Sequence, residues 1–156
     1  MPNTKKDIEI DFILPAVKGQ CKKTVFEGLL GFLSGKLDFP ADQALERLLE
    51  KEAYESCTIG NGAAVPHVRI AGLKHPVTLL ARLEKPANFS GAEKQKVDLV
   101  CMVLSPQNAG AYGLMNVSRA ARMLQDKELC RAIRDAKDEE SINNAIYNPD
   151  GWFMAA

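Results

Sequence analysis

The sequence has 156 residues, of which 20 are basic and 20 acidic, so its formal net charge near pH 7 is zero. A chain of this size buries roughly 70% of the surface of its unfolded state, and zero net charge excludes a global attraction to nucleic acid or anionic membranes. The amino terminus is polar, and no apolar stretch approaches the length that crosses a bilayer. We therefore expect one domain over residues 1–156, located in the cytoplasm, with no nucleic-acid partner and no membrane insertion.

The first part of the chain predicts one strand and two helices. Residues 8–12 alternate between apolar and acidic types, which predicts a short half-buried strand that Pro15 ends. Apolar residues then recur at helical spacing in two segments, of which Gly35 closes the first and Pro40 opens the second. The predicted apolar faces are Val25, Phe26, Leu29, Leu30 and Leu33 in the first helix, and Ala44, Leu45, Leu48 and Leu49 in the second.

Two apolar runs rich in β-branched residues, Val77–Leu83 and Val97–Leu104, predict strands that are covered on both faces. The polar segment 84–96 between them is expected to be a loop with Phe89 beneath it.

Three helices are predicted after the second of these strands. Turn residues at 105–110 precede the first helix, and Asp126 and Asp138 are the expected N-caps of the other two. The expected apolar face of the first is Leu114, Val117, Ala121 and Leu124. This mixture of strands and helices indicates an α/β layered sandwich, a mixed β-sheet flanked by helices. The apolar tail 149–156 is expected to dock on this domain, with binding to a partner as the alternative.

The four cysteines are Cys21, Cys57, Cys101 and Cys130. Their wide spacing fits neither a zinc site nor a disulfide framework, and the chain has only two histidines. We therefore expect reduced cysteines that serve packing, no metal and no cofactor.

A glycine-rich turn and a short apolar segment lead to one of the two histidines. Gly60, Asn61 and Gly62 are residue types that adopt positive φ at low cost, and Pro66 restricts the backbone just before His67. A histidine held in this way is a nucleophile, a proton shuttle or a metal ligand, or else it ends a strand and bonds to a carbonyl. The spacing by itself leaves these alternatives open.

The run from Thr58 to His67 resembles the phosphorylation-site signature of one class of IIA domains in the bacterial phosphoenolpyruvate-dependent phosphotransferase system. This is the mannitol/fructose class, which includes the nitrogen-regulatory IIA-like proteins. The resemblance extends over about residues 8–146 and includes the segments 48–53, 72–77, 97–100, 105–106, 109–110 and 118–124. It implies a phosphocarrier in which His67 accepts a phosphoryl group from the histidine phosphocarrier protein and signals to an unidentified target.

The resemblance also implies which groups surround His67. The family's arginine before the turn corresponds to Lys51, which keeps the charge but lacks the bidentate fork; its alternative role is that of a solvated residue at a helix end. Arg69 is a second candidate cation. Backbone N–H groups of the turn 60–62, or of a helix that begins near Ala111, are the expected phosphate contacts.

The chain departs from the family at two positions. The family's second histidine corresponds to Gly113, and the neighbouring Tyr112 cannot replace a basic imidazole near pH 7. Val68 stands where glycine is common and is expected to add bulk where a phosphodonor protein approaches. The other histidine, His75, is expected to be a surface turn residue.

Two classes of function therefore stand open. One is a phosphocarrier, either regulatory or specific for fructose or mannitol; the regulatory role is favoured because the chain has no fused membrane or IIB-like segment. The other is a divergent binding module that is not phosphorylated.

Overall fold

The computed structural model describes residues 8–89 and 96–147, apart from the side chain of Tyr112. Within these ranges, six strands form one mixed sheet and five helices pack on it. The strands are β1 (Phe12–Val17), β2 (Thr58–Gly60), β3 (Ala63–Ala64), β4 (His67–Ile70), β5 (Val77–Asn88) and β6 (Lys96–Pro106). The helices are α1 (Lys22–Lys36), α2 (Ala41–Tyr54), α3 (Ala111–Leu124), α4 (Lys127–Asp135) and α5 (Glu139–Tyr147).

The sheet has the order β1-β5-β6-β3-β2, and β4 also pairs with β6. β5 runs antiparallel to β6 and parallel to β1, whereas β3 and β4 both run parallel to β6. β3 and β4 thus form one interrupted line beside β6, and at the interruption the N–H of Val103 donates to the carbonyl of Pro66 at 2.9 Å. This line places His67 beside the carboxyl-terminal half of β6.

The core consists of one apolar cluster on each face of the sheet. α1 and α2 cover one face, and α3, α4 and α5 cover the other. β5 and β6 are buried over most of their length, as predicted for strands covered on both faces. The α/β layered sandwich predicted from the sequence is therefore confirmed.

The two faces of β4 point to different helix layers. Val68 and Ile70 belong to the cluster under α1 and α2. Since side chains alternate along a strand, His67 and Arg69 lie on the face that α3 covers.

Most predicted helix features are confirmed. α1 buries the five predicted apolar residues, and α2 begins directly after Pro40. Asp126 accepts hydrogen bonds at 3.1 Å from the N–H groups of Glu128 and Leu129. Asp138 accepts one at 2.9 Å from the N–H of Ser141. The two aspartates thus satisfy N–H groups that have no partner inside their own helices.

The prediction that Pro15 ends the first strand is wrong. β1 begins at Phe12 and continues through Pro15 to Val17. β1 is an edge strand whose pairing with β5 is irregular after Leu14, so the missing N–H of proline removes no ladder hydrogen bond there.

The predicted loop 84–96 is shorter than expected, because β5 continues to Asn88. Ala87 and Asn88 pair with Val97 and Lys96 at the start of β6. Phe89 is buried, as expected, and meets the ring of Phe26 edge-on with the centroids 5.8 Å apart.

Three smaller expectations are also corrected. Gly35 lies inside α1, which ends one residue later because Leu37 is extended. Cys21 is exposed at the N-cap of α1, so it serves no packing role, whereas Cys101 and Cys130 are buried. Leu114 is 51% exposed and lies outside the apolar cluster under α3, α4 and α5.

The tail residues Trp152 and Phe153 lie outside the described residues. Within the described ranges, none of the helices combines the length and apolar character needed to cross a membrane.

Candidate functional site

His67 is the first residue of β4, and its side chain is buried, with 6% of its surface exposed. Its ring Nε2 lies 2.9 Å from the hydroxyl oxygen of Ser105. Both residues project from the same face of neighbouring parallel strands, and the residue paired with His67 is Val103, two positions before Ser105. The sheet register therefore fixes the distance between ring and hydroxyl.

Ser105 is fully buried near the end of β6. Its hydroxyl is also within 3.5 Å of the carbonyl oxygen of Gly113, in the first turn of α3. The sequence analysis treated Ser105 only as part of a turn and missed this role. The available signal was a hydroxyl directly after an apolar strand, at a position where a polar group requires a partner if it is buried.

The pKa of His67 is lowered to about 4, first by burial and then by the positive charges of Lys51 and Arg69. Burial disfavours the charged imidazolium, and two nearby cations add to that effect. The imidazole is therefore neutral at pH 7 and carries a lone pair on one ring nitrogen.

His67 lines a cavity of about 300 Å³ between the end of α2 and the first turns of α3. Lys51, in the last turn of α2, lines the same cavity, as does Leu114 of α3. The structure thus brings together His67 and Lys51, the two residues proposed for catalysis from the sequence.

Arg69 lies on the same face of β4 as His67 but is engaged by the loop before α3. Its guanidinium donates to the carbonyl of Gly110 at 3.0 Å and to that of Gln107 at 3.4 Å. Gly110 has φ 57°, a left-handed conformation that favours glycine. Arg69 therefore fixes the entry to α3 and adds positive charge near His67.

The turn formed by Gly60, Asn61 and Gly62 has positive φ at all three residues, as predicted. Its contacts, however, lie at the other end of β6. Arg134 of α4 donates to the carbonyl of Asn61 and pairs with Asp98 at 2.8 Å, and Asp98 donates its N–H to the carbonyl of Gly62. Four residues of nearly extended chain lie between Gly62 and His67, so the two are about 16 Å apart along the strand direction. The structure does not bring this turn together with the histidine.

Gly113 lies in the first turn of α3 without a positive φ, so its backbone is ordinary helix. A Cβ atom there would lie 3.0 Å from the hydroxyl oxygen of Ser105 and 3.1 Å from its Cβ. Ser105 thus occupies the space that a larger side chain at position 113 would need.

The expectation that Val68 adds bulk at the surface is wrong. Its side chain is buried in the cluster under α1 and α2, because it points away from His67. His75 is exposed in the turn before β5, as expected.

Cys57 also lines the cavity, but its thiol is unsuited to act as a nucleophile. Burial and the adjacent Glu52 carboxylate raise the pKa of this thiol. The thiol donates to Glu52 at 3.4 Å, and Glu52 pairs with Lys22 at 3.5 Å. Cys57 therefore stays protonated near pH 7.

Across the part of the chain that the structure describes, no three His, Cys, Asp or Glu side chains gather in a way that would hold a metal ion.

Comparison with known proteins gives consistent results. A family model described as "Phosphoenolpyruvate-dependent sugar phosphotransferase system, EIIA 2" matches residues 8–148. A nitrogen regulatory protein of Bradyrhizobium diazoefficiens is 32% identical over 137 residues, which cover 88% of this chain and 90% of that protein. A protein of the same name from Escherichia coli K12 is 31% identical over 133 residues, with coverages of 85% and 82%.

The fold has a solved counterpart. The crystal structure of nitrogen regulatory protein IIA-Ntr from Neisseria meningitidis superposes with a TM-score of 0.76 at 23% identity, and covers 92% of this chain and 94% of that one. At this identity, the likeness concerns the fold.

Proposed function

The chain belongs to the EIIA 2 family of the phosphoenolpyruvate-dependent sugar phosphotransferase system, and from that premise we propose that it is a phosphocarrier of the nitrogen-regulatory type. In this proposal His67 accepts a phosphoryl group from a histidine phosphocarrier protein. The observation that carries the proposal is the state of His67, which is neutral near pH 7 and lines a cavity beside Lys51. A neutral imidazole keeps the lone pair that attacks phosphorus.

The surface around the cavity supports docking of a carrier protein. Three large apolar side chains of the described residues are exposed, namely Tyr54, Leu114 and Met115. Leu114 lines the cavity itself, and Tyr54 follows Lys51 by three residues at the end of α2. Apolar side chains exposed beside charged ones are typical of protein interfaces.

The regulatory type is supported by the relatives at more than 30% identity, which are named nitrogen regulatory proteins. In this role, a target protein distinguishes the phosphorylated from the unphosphorylated state of His67. Transport of fructose or mannitol is the alternative within the same class.

A divergent binding module that is not phosphorylated is the second candidate function. The observation that favours it is Gly113, which leaves the first turn of α3 without an imidazole. Phosphorylation in the presence of the upstream proteins separates the two candidates.

We expect the protein to gain the mass of one phosphoryl group when it is incubated with phosphoenolpyruvate and the upstream phosphotransfer proteins. His67→Ala should gain none, since it removes the nucleophile, and His75→Ala should behave like the wild type. Intact-mass spectrometry at neutral pH measures all three. Absence of labelling in the wild type favours the binding module, and labelling of His67→Ala refutes His67 as the acceptor.

Lys51 is expected to stabilise the charge on the transferring phosphoryl group. Lys51→Met should slow phosphorylation about tenfold, and Lys51→Arg should be as fast as the wild type or faster. Lys127→Met is a matched control, because Lys127 is also an exposed helical lysine but lies on α4 and not at the cavity. Single-turnover experiments measure the phosphorylation rate of each variant. Equal rates for Lys51→Met and Lys127→Met would show that Lys51 is only a solvated residue at a helix end.

A further inference from the structure

The start of α3 presents two adjacent apolar side chains to solvent. Leu114 is 51% exposed and Met115 is 44% exposed, and Leu114 also lines the cavity of His67. Gly113, the residue before them, has its carbonyl oxygen within 3.5 Å of the hydroxyl of Ser105, so this part of α3 lies over the end of β6. Leu114 and Met115 therefore form an apolar patch at the rim of the cavity, which we call the α3 patch.

The last residue of α5 lies at the same end of the sheet as the α3 patch. The hydroxyl of Tyr147 donates to the carbonyl of Ile8 and accepts from the N–H of Ile10, both at 2.9 Å. These two contacts hold the end of α5 against the chain that leads into β1. Tyr147 also packs on the apolar cluster under α3, α4 and α5, so it lies on the face of the sheet that α3 covers.

Strand pairing gives the distance from this point to the cavity. Asp11, one residue after Ile10, donates its N–H to the carbonyl of Thr78 at 2.9 Å. Thr78 is paired with Val103, and Val103 is paired with His67. Neighbouring strands are about 4.8 Å apart, so these three steps place His67 about 14 Å from Asp11. The α3 patch is nearer still, because it lies over β6, between the two.

The tail 149–156 carries an apolar segment that matches this distance. Its residues 152–154 are a tryptophan, a phenylalanine and a methionine, and they lie outside the described residues. Trp152 comes five residues after Tyr147, and five residues of extended chain span about 17 Å. Pro149 favours extended backbone at the residue before it, directly after the end of α5. The apolar segment can therefore reach the α3 patch without any change in the described fold.

We propose that the tail 149–156 docks on its own chain, with Trp152 and Phe153 against the α3 patch, and thereby covers the cavity of His67. The docking concerns the protein at rest. Its consequence rests on the proposed function, in which a carrier protein must reach the same cavity. A docked tail excludes that carrier, so the chain limits its own phosphorylation.

Tethering favours the chain's own tail over a second copy of the protein as the occupant of the α3 patch. A short linker keeps a tethered segment at an effective concentration in the millimolar range, well above that of separate protein molecules in a dilute solution. Docking also removes apolar surface of the tail and of the patch from water at the same time.

The fluorescence of Trp152 tests the docking, because this residue is the only tryptophan in the chain. In the wild type we expect the emission of a buried indole. The double variant Leu114→Gln, Met115→Gln should shift the emission to the red and make acrylamide quenching severalfold stronger, and Phe153→Ser should do the same from the side of the tail. Circular dichroism checks that each variant is folded. The emission of a fully exposed indole in the wild type, or unchanged emission in these variants, overturns the proposal.

Two controls decide where the tail docks and on which molecule. Tyr54→Gln replaces an exposed apolar residue at the end of α2 and should keep the wild-type emission. A red shift in Tyr54→Gln without one in the α3 variant would place the tail on α2 and overturn the proposal. The emission should also be independent of protein concentration, since a concentration-dependent shift would show that the tail binds a second copy.

Phosphorylation rates test the consequence of docking. At limiting carrier protein, the double variant Trp152→Ser, Phe153→Ser should be phosphorylated at least about threefold faster than the wild type, because the carrier binds only molecules whose tail is undocked. Ala155→Ser with Ala156→Ser is the matched control, as it adds two serines to the tail outside the apolar segment. Equal rates in all three proteins overturn the self-limitation and leave the proposed function intact. Absence of phosphorylation in all of them contradicts the proposed function and with it the self-limitation, whereas fluorescence still decides the docking.

Discussion

Replacing Arg82 with methionine is expected to lower the free energy of unfolding by about 3 kcal/mol. This is the largest loss of stability that we expect from replacing one charged residue. Arg82 lies on β5, and its guanidinium donates to the carbonyl of Pro15 on β1 and to those of Ile133 and Ala136 at the end of α4. Methionine keeps most of the apolar stem but leaves these half-buried carbonyls without a donor. Denaturant-induced unfolding measures the loss.

The control for this substitution is Arg131→Met. Arg131 is exposed on α4, so its loss is expected to change stability by no more than about 0.5 kcal/mol. If both variants unfold at the same denaturant concentration, the contacts of Arg82 contribute nothing net, and water replaces the guanidinium.

His67 is expected to make the protein less stable in mild acid. Its pKa is about 4 in the folded protein and about 6.5 when exposed, so between these values the unfolded chain binds a proton that the folded protein does not. Above pH 6.5, His67 is neutral in both the folded and the unfolded state, so its protonation costs no stability. As the pH decreases from 6.5 toward 4, the free energy of unfolding falls. The difference of about 2.5 pH units corresponds to about 3 kcal/mol.

Comparison with His67→Asn isolates this contribution from that of the carboxylates. Between pH 6.5 and 4, the wild type should lose about 3 kcal/mol more unfolding free energy than the variant. His75→Asn should keep the wild-type pH dependence, because His75 is exposed. Parallel curves for wild type and His67→Asn would mean that the folded protein takes up the proton on His67 without penalty.

The sequence predicted the elements of the fold well, because the apolar patterns are strong and local. Periodicity located the buried face of α1, and aspartates marked the starts of α4 and α5. The errors arose where pairing overrode a local signal. Pro15 fits inside a strand because that strand is at the edge. β5 continues past Leu83 because Ala87 and Asn88 pair again with the start of β6 after an irregular stretch.

The site was predictable only in part. His67 and Lys51 were found from the residues and the family resemblance, and the structure brings them to one cavity. Ser105 and Arg82 were missed because their partners are 38 and at least 51 residues away, so no local pattern reports them. The sequence predicts the backbone conformation of the glycine-rich turn, because that conformation is local. It does not predict that the turn contacts Arg134 and Asp98, because the chain through β3 carries His67 away from the turn.

His67 and Lys51 come from opposite sides of the sheet. Ser105 holds the histidine within the sheet, through neighbouring strands, whereas Lys51 belongs to the layer formed by α1 and α2. A small slide of that layer over the sheet would change the distance from the ammonium group to the ring and leave the ring's hydrogen bond unaltered. In the proposed phosphocarrier, the cation of Lys51 and the hydrogen bond of His67 to Ser105 therefore come from separate layers of the fold, and we expect a protein that binds α2 to change the first more than the second.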